Sequence, residues 1–178
     1  MNKVDRSYII ELRKKLKKNL PDVRYEHSLG VEYMSAALAM VHGVDIEKAE
    51  IAGLLHDCAK ILHDESKVAH AFFGPEVAHD MYGIEDEEIL SAIKWHTTGK
   101  ADMTDLEKIV FIADFIEPSR ANLPIMEEVR KTAFKDLTYA VYLITERTLD
   151  YLNGKNSPVE EHTMQCLEFL KENGIYDK

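Results

Sequence analysis

Residues 52–60 read AGLLHDCAK and place His56 beside Asp57 within an otherwise apolar segment. A buried carboxylate without a partner costs several kcal/mol, so such a group is normally paired or bound to a metal ion. A partner for this pair must therefore come from elsewhere in the chain.

The composition indicates a globular protein with an acidic surface. The chain has 178 residues, of which 46% are apolar, and a net charge of −10. This length suffices for one hydrophobic core. Because nucleic-acid-binding domains carry a basic footprint, we expect no nucleic acid polymer as a partner. An anionic substrate would have to meet a local cluster of positive side chains.

The sequence favours a cytoplasmic protein. No apolar run reaches the roughly 18 residues of a membrane-spanning helix. The N-terminal stretch MNKVDRSYIIELRKKLKKNL lacks the continuous apolar centre of a signal peptide. Cys58 and Cys166 are the only cysteines, which is too few for a disulfide framework. We expect no membrane partner, and the sequence leaves a homodimer open.

Start and stop signals of helices recur along the chain, whereas the alternating pattern of strands is nearly absent. We predict an all-α fold and a single domain over residues 1–178. An N-terminal helix at about 5–19 precedes a core at about 20–120 and C-terminal helices at about 124–172. The least regular segment, 61–74, could be a loop over a site. The predicted helices lie near 5–19, 23–41, 46–62, 75–82, 86–96, 105–116, 124–134, 137–152 and 158–172.

Three kinds of signal set these helix ends. Two pairs have the spacing of a capping box, two prolines suit first-turn positions, and five glycines suit helix C-termini. These residues are Thr104 with Glu107, Ser157 with Glu160, Pro75, Pro158, Gly43, Gly83, Gly99, Gly154 and Gly174.

Asp114 is a second carboxylate in apolar surroundings, within EKIVFIADFIEPSR at residues 107–120. The flanking positions are apolar on every helical face, which is typical of a buried helix. Taken alone, Asp114 is best explained by a structural pair with an arginine or a helix N-terminus.

His27 adds a second imidazole, in VRYEHSLGV, early in a helix whose following positions look core-facing. Together with His56, Asp57 and Asp114 it gives two imidazoles and two carboxylates, each on an otherwise apolar helix. Such mixed nitrogen and oxygen ligands suit divalent iron, manganese or zinc. A bound cation would also neutralise the carboxylates. We interpret these four residues as the ligands of one metal ion.

A ferritin-like di-metal bundle is excluded by the count of its motif. Such bundles carry a Glu-x-x-His pair on each of two helices. This chain has one such pair, Glu76 with His79, and no second.

Five segments, in order, resemble the HD-domain metal-dependent phosphohydrolases. They are RYEHSLGV, AEIAGLLHDCAK, AIKWHTTGK, LEKIVFIADFIEPSR and NSPVEEHT. They are similar in particular to the bacterial YqeK group of symmetrical dinucleoside tetraphosphate hydrolases, over roughly residues 20–165. The resemblance implies an all-helical HD domain, a bound iron ion, and hydrolysis of diadenosine tetraphosphate to two ADP.

The resemblance also implies roles for individual residues. His27, His56, Asp57 and Asp114 match the metal ligands. Because the segment around His70 departs from the family pattern, His79 and His63 are alternatives to it. The positions that match nucleotide contacts are Arg24, Asp57, Cys58, Ala59, Lys60, His70, His96, Thr97, Phe115, Arg120, Pro158, Val159, Glu160, Glu161, His162 and Thr163.

Three cationic side chains could meet phosphate beside the metal. Arg24 precedes His27 by three residues and Lys60 follows His56 by four, so each should share a helical face with a ligand. Arg120 could bind phosphate in a bidentate manner. For each of them, solvated surface charge is the alternative interpretation.

The catalytic set implied by this chemistry is Asp57, Lys60, His70 and His96. Both histidines are candidates for protonating the departing phosphate, and binding of a second metal ion is the alternative. The free N–H groups of helix 158–172 would form an anion site, unless that end is an ordinary cap. Trp95 could stack on a base, although a core position is the simpler interpretation.

Three classes of function follow. The first is a metal-dependent hydrolase of dinucleoside tetraphosphates. The second is an HD enzyme for another phosphoester, such as a nucleoside monophosphate or a cyclic nucleotide. The third is a non-catalytic nucleotide-binding or scaffold protein, which loss of a ligand would favour, whereas all four ligands are present.

Overall fold

The computed structural model describes residues 6–62, 66–121 and 123–175. Within these ranges every regular element is an α-helix, which confirms the predicted all-α fold. None of these helices combines the length and the apolar character that crossing a bilayer would require. The helices are α1 Ser7–Asn19, α2 Asp22–His42, α3 Ile46–Leu55, α4 Ala69–Tyr82, α5 Glu87–Trp95, α6 Asp105–Ile116, α7 Met126–Ala133, α8 Leu137–Gly154 and α9 Glu161–Glu172.

Helix α6 lies at the centre of the hydrophobic core. Helices α2, α3, α5, α7 and α8 pack against it, and Ile109, Val110, Ile112 and Ala113 are fully buried. Burial of a large aliphatic side chain contributes about 1.5–3 kcal/mol. Contacts with five helices explain why this helix is apolar on every face. Asp114 therefore lies on a helix that is fixed by packing on all sides.

Several helix ends lie where the sequence predicts them. Thr104 and Glu107 form the full capping box at the start of α6. Gly43 and Gly83 end α2 and α4 in the left-handed conformation, with φ of 71° and 73°. Glycine adopts this conformation without the steric cost that a Cβ atom brings.

Helix α3 ends at Leu55, so the predicted helix 46–62 is too long. The chain continues as tight turns with i→i+3 backbone bonds. The ring of His56 bonds the Gly53 carbonyl, with Nδ1 at 2.8 Å from the oxygen. In a longer α-helix that carbonyl would accept from the N–H of Asp57. The His-Asp pair therefore follows the helix instead of lying within it.

Helix α4 begins at Ala69, so the predicted start at Pro75 is wrong. The Ser66 hydroxyl accepts from the Ala69 N–H at 3.1 Å, which starts the helix six residues before the proline. Pro75 lies inside the helix, where its missing N–H leaves one i→i−4 bond unmade. His70 consequently lies in the first turn of a helix and not in the predicted loop 61–74.

Helix α9 begins at Glu161, so the predicted start at Pro158 and the capping box of Ser157 with Glu160 are wrong. The Ser157 N–H donates to Leu152 O at 3.0 Å, which makes Ser157 part of the end of α8. The free N–H groups of α9 therefore lie beyond the predicted anion site. Two glutamates stand at this helix start, and their charge opposes anion binding there.

Helix α1 is attached to α2 by a buried ion pair as well as by apolar contacts. The Arg13 guanidinium donates to both carboxylate oxygens of Glu32, with Nη2–Oε1 at 2.6 Å and Nε–Oε2 at 2.9 Å. Glu32 is fully buried. Because a buried carboxylate depends on its partner for charge and hydrogen bonds, this pair should be sensitive to loss of either side chain.

We expect Arg13→Met to lower the free energy of unfolding by about 3–5 kcal/mol, because it leaves the Glu32 carboxylate buried and unpaired. The double variant Arg13→Met/Glu32→Leu should recover most of the loss. Lys14→Met is the control, since Lys14 and Glu11 form an exposed pair whose removal costs about 0–1 kcal/mol. Urea denaturation measures all three, and equal losses for Arg13→Met and Lys14→Met would contradict the assignment.

Candidate metal centre and active site

Four side chains from three parts of the fold converge on one point. His27 lies on α2, His56 and Asp57 directly follow α3, and Asp114 lies on α6. His27 Nε2 is 3.0 Å from Asp114 Oδ1 and 3.2 Å from His56 Nε2. His56 Nε2 is 3.7 Å from Asp57 Oδ2 and equally far from Asp114 Oδ1. The structure thus brings together the four residues that the sequence predicts as ligands.

This group can hold a divalent metal ion. The ligand atoms of His27, His56 and Asp57 all lie within 4.8 Å of one another, and imidazole with carboxylate is a donor set that suits transition metals. The Nδ1–H of the fully buried His56 donates to the Gly53 carbonyl. This bond leaves the lone pair of His56 Nε2 directed at the cluster.

A second group of side chains surrounds the other oxygen of Asp57. His70 Nε2 lies 3.2 Å, His96 Nε2 3.6 Å and Lys60 Nζ 3.9 Å from Asp57 Oδ1. Lys60 Nζ is also 3.0 Å from His70 Nε2, and Thr97 Oγ1 is 2.9 Å from His96 Nε2. Asp57 therefore joins the two groups, with one carboxylate oxygen in each.

Of the predicted candidates His70 and His79, the structure places His70 beside Asp57. His79 is exposed and its Nδ1 lies 2.7 Å from Asp80 Oδ1. His63, the other alternative, lies outside the described residues. His70 therefore lies beside Asp57 even though the sequence around it departs from the family pattern.

Two arginines lie on the solvent side of the cluster. Arg24 Nη1 is 3.4 Å from Asp57 Oδ2. Arg120 donates from Nε to the Asp114 carbonyl at 2.8 Å and from Nη2 to its carboxylate. The side chains remain 42% and 40% exposed, so both guanidinium groups can reach a solvent-borne anion. Lys60 also reaches the cluster, although the end of α3 removes the shared helical face that the sequence predicts.

Burial and neighbouring charges set the protonation states of the site. Burial lowers the pKa of His56 to about 4 and also lowers the pKa of His70. Burial alone would raise the pKa of Asp57, but His56, His70 and His96 hold it well below its usual range. At neutral pH His56 and His70 are therefore neutral imidazoles beside an ionised Asp57, which is the protonation state that metal binding requires. Burial alone would lower the pKa of His27, but hydrogen bonds with Asp114 and Glu117 raise it, so a metal ion would compete with a proton for this ring.

The other predicted nucleotide contacts lie mainly along two grooves beside the cluster. The first groove has a volume of ≈ 330 Å³ and is lined by Asp114, Phe115, Arg120, Ala121, Leu123 and Met126. The second groove, of ≈ 350 Å³, is lined by Ser66, Lys67, Val68, Thr97, Thr98, Thr148, Leu152, Ser157, Pro158, Glu160 and Thr163. The first adjoins the cluster at Asp114, and the second adjoins it at Thr97.

Other predicted contact residues do not line either groove. Cys58 and Ala59 are buried in the core, and burial raises the pKa of the Cys58 thiol to about 12. His162 packs edge-on against Trp95, with 4.8 Å between ring centroids. Cys58 is thus a packing residue. Trp95 is half-buried and contacts Phe72 and His162 outside the hydrophobic core, so the core interpretation of Trp95 is not supported. Val159 and Glu161 flank Glu160 without lining the second groove.

Glu117 is a site residue that no sequence pattern singled out. It is 1% exposed, and its Oε1 lies 2.9 Å from Nδ1 of His27. Burial alone would raise the pKa of Glu117, but hydrogen bonds from Ser119 and His27 hold it below its usual range. The available signal was a glutamate directly after the buried helix, within the same segment as Asp114.

The family model of the HD domain matches residues 24–119, so this chain belongs to the HD-domain family. Symmetrical bis(5'-nucleosyl)-tetraphosphatases are among its relatives. The enzyme from Staphylococcus aureus is 37% identical over 182 residues, covering 90% of this chain and 93% of the relative. The enzyme from Bacillus subtilis is 36% identical, covering 87% and 93%. Within the HD-domain family, the chain is a hydrolase of this tetraphosphatase group, which confirms the predicted resemblance and enzyme class.

A solved structure supports the same fold. An HD superfamily hydrolase from Clostridium acetobutylicum, described as involved in NAD metabolism, superposes with a TM-score of 0.84 at 34% identity. The match covers 93% of this chain and 97% of that protein. The helical arrangement that carries the cluster is therefore shared over nearly the whole length of both chains.

We expect the metal-free protein to lose stability as the pH falls from 6.5 toward 4, because of His56. Its pKa is lowered from 6.5 to about 4 in the fold, so the unfolded chain binds more protons across this window. His56→Asn should flatten the dependence, since an Asn amide can still donate to the Gly53 carbonyl. Urea denaturation in the presence of a chelator tests this, and parallel pH profiles for the two proteins would contradict it.

Proposed function

We propose that the protein splits diadenosine tetraphosphate symmetrically into two ADP at a divalent metal ion held by His27, His56, Asp57 and Asp114. The observation that carries this proposal is the convergence of these four side chains beside Arg24, Lys60 and Arg120. A divalent metal bound there would lower the pKa of a water molecule and polarise a phosphoryl oxygen. Iron is the metal that the family resemblance implies, and manganese is chemically close.

The cationic side chains supply what an acidic protein otherwise lacks, a local site for a polyphosphate. Arg24 lies beside Asp57, Arg120 beside Asp114, and Lys60 beside His70. The three cations thus border different parts of one cluster. We propose that they bind successive phosphates and hold one phosphorus at the metal, since charge-assisted bonds to phosphate are among the stronger hydrogen bonds.

The two grooves favour a substrate with two nucleoside ends. One groove adjoins Asp114 and Arg120, and the other adjoins Thr97, which bonds His96. A nucleoside monophosphate would use one such groove, whereas a dinucleoside polyphosphate could occupy both with its phosphate chain across the cluster. This arrangement supports the tetraphosphate over other phosphoesters as the substrate.

Departure of the second ADP needs a proton or a neutralising charge. The pKa of His70 is lowered by burial, and burial also lowers the pKa of Lys60. A neutral His70 can accept from Lys60 Nζ and keep this ammonium group beside the cluster. We propose that the Lys60 ammonium group neutralises or protonates the leaving phosphate directly. His70 and His96 would hold Lys60 in position through their contacts with Asp57.

A second metal ion is the alternative use of the same residues. The ligand atoms of Asp57, His70 and His96 lie within 4.8 Å of one another, which is the observation that favours it. In that case Asp57 would bridge two ions. Metal content at saturation, one or two equivalents per chain, distinguishes the two arrangements.

We expect Asp57→Ala and Asp114→Ala to abolish metal retention and tetraphosphate hydrolysis together, because each removes a carboxylate ligand. Asp80→Ala is the control, since Asp80 is an exposed carboxylate paired with His79. Elemental analysis and turnover assays measure the outcome, with circular dichroism to check folding. Full metal occupancy in both ligand variants would refute the assignment.

We expect purified protein with ferrous iron to convert diadenosine tetraphosphate into two ADP, with no ATP or AMP. If one groove holds an ADP unit, the reacting water meets the second phosphorus and the other half leaves as ADP. In ¹⁸O-labelled water, one ADP per turnover should carry the label. Chromatography with mass detection decides: ATP plus AMP would mean a pocket offset by one phosphate. Absence of turnover with iron and with manganese would favour a nucleotide-binding module.

A further inference from the structure

One buried carboxylate beside the cluster belongs to neither group around Asp57. Glu117 is the C-cap residue of α6, is 1% exposed, and contacts the Nδ1 side of His27 while the Nε2 side faces Asp114. A carboxylate only accepts hydrogen bonds when ionised. Both ring nitrogens of His27 thus face a carboxylate when no metal is bound. A metal ion held by Asp114 and His27 Nε2 would take the Nε2 lone pair, and the one remaining ring proton would then be on Nδ1, where Glu117 accepts it.

We propose that Glu117 is a positioning residue that fixes the tautomer and ring orientation of His27, so that Nε2 is presented to the metal ion. The proposal rests on the proposed function in taking His27 as a ligand. Metal-bound histidines in general donate their other N–H to a carboxylate or a carbonyl, and loss of that partner weakens the site.

The other two histidines show why His27 needs a carboxylate. His56 and His96 are the C-cap residues of α3 and α5. Their Nδ1 atoms bond the carbonyls three residues back, those of Gly53 and Ile93, at 2.8 and 2.7 Å. Such carbonyls are free at a helix end because no following N–H takes them.

His27 cannot use this solution, because it lies within α2 (Asp22–His42) and not at its end. The carbonyls that precede it belong to the helical hydrogen-bond ladder. An acceptor for its Nδ1–H must therefore come from another element, and Glu117 at the end of α6 provides it. All three histidines thereby direct Nε2 toward the cluster.

The carboxylate of Glu117 is itself held in place. Ser119 donates its backbone N–H to Oε2 at 2.7 Å and its hydroxyl to Oε1 at 2.5 Å. Arg130 donates to the carbonyls of Ile116 and Glu117 at 3.0 and 3.3 Å, which fixes the backbone on which this side chain stands. The orientation of His27 is thus determined by a connected set of bonds.

Gly30 makes room for this arrangement. It follows His27 by three residues on α2, and a Cβ atom there would lie 2.5 Å from Oε2 of Glu117 and 3.2 Å from its Cδ. Any larger residue would push the carboxylate off the position that Ser119 and His27 define. Gly30 therefore serves the same ring orientation from the other helix.

The test compares Glu117→Gln with a matched control, Glu107→Gln. Glu107 lies at the other end of α6, is 2% exposed, and accepts from Ser91 Oγ at 2.5 Å and Thr104 N at 2.7 Å. Both are thus buried carboxylates that accept from one serine hydroxyl and one backbone N–H. The third partner is Lys100, at 3.2 Å, for Glu107 and His27 for Glu117. In Glu117→Gln the amide group must face a donor on one side, either His27 or Ser119.

We expect Glu117→Gln to weaken Mn²⁺ binding about 10–100-fold, measured by titration of the metal-free protein with Mn²⁺. In the protein loaded with diamagnetic Zn²⁺, the nitrogen and proton chemical shifts of His27 Nδ1–H should show that its hydrogen bond is weakened or lost. Glu107→Gln should keep the Mn²⁺ affinity of the native protein. Gly30→Ala should also weaken binding, even though alanine is the better helix former, and it provides a second variant if Glu117→Gln folds poorly.

The contradicting outcomes are distinct. Native Mn²⁺ affinity and unchanged His27 Nδ1–H shifts in Zn²⁺-loaded Glu117→Gln, with loss of Mn²⁺ in His27→Ala, would overturn the positioning role and leave the ligand assignment intact. Equal weakening in Glu107→Gln would overturn it too, since the effect would then be general destabilisation. Native affinity in His27→Ala would instead overturn the ligand assignment of the proposed function.

Discussion

The burial of Asp57 is the constraint on which the rest of the site depends. This carboxylate is 3% exposed, and its free energy of burial would be prohibitive without charge and hydrogen-bond partners. Four elements supply them: His56 follows α3, His70 lies in the first turn of α4, His96 ends α5 and Arg24 lies on α2. The helices must therefore meet at this point for the fold to be stable, and the same meeting creates the site.

The hydrophobic core offsets the free energy of burying this polar centre, because α6 is packed on all sides by other helices. Asp114 and Glu117 lie near the C-terminal end of this helix, so both carboxylates are held by apolar burial that does not involve them. His27 on α2 lies between the two, with one ring nitrogen toward each. The packed core thereby restrains the side chain that we propose as a metal ligand.

The parts of the fold that depend on local pattern were predictable from the sequence. The buried α6, the capping box at Thr104 and the left-handed Gly43 and Gly83 all follow from periodicity and turn chemistry. The errors arise at helix ends, where a single local hydrogen bond decides how the chain leaves the helix. The bond from His56 to Gly53 replaces a helical bond in α3, and the closure of α8 takes the Ser157 N–H. The first contact is made by a side chain and matches none of the cap, proline or glycine signals. The second closes α8 beside Asn156, whose φ is 50°, a position that glycine fills more often than asparagine.

The same distinction explains what was found and missed in the site. Histidines and aspartates on apolar helices stand out, because an unpaired polar group there is costly. Glu117 stands beside Pro118 and Ser119 at a helix end, where a glutamate is ordinary, and its burial follows from the approach of α2 at Gly30. The role proposed for Glu117 depends on the direction of its hydrogen bond with His27, which the amino-acid composition does not reveal. Helix-end histidines obtain that direction from the backbone, whereas a mid-helix histidine must obtain it from a second helix. In this chain the proposed ligand arrangement therefore depends on a specific contact between α2 and α6 in addition to the ligands themselves.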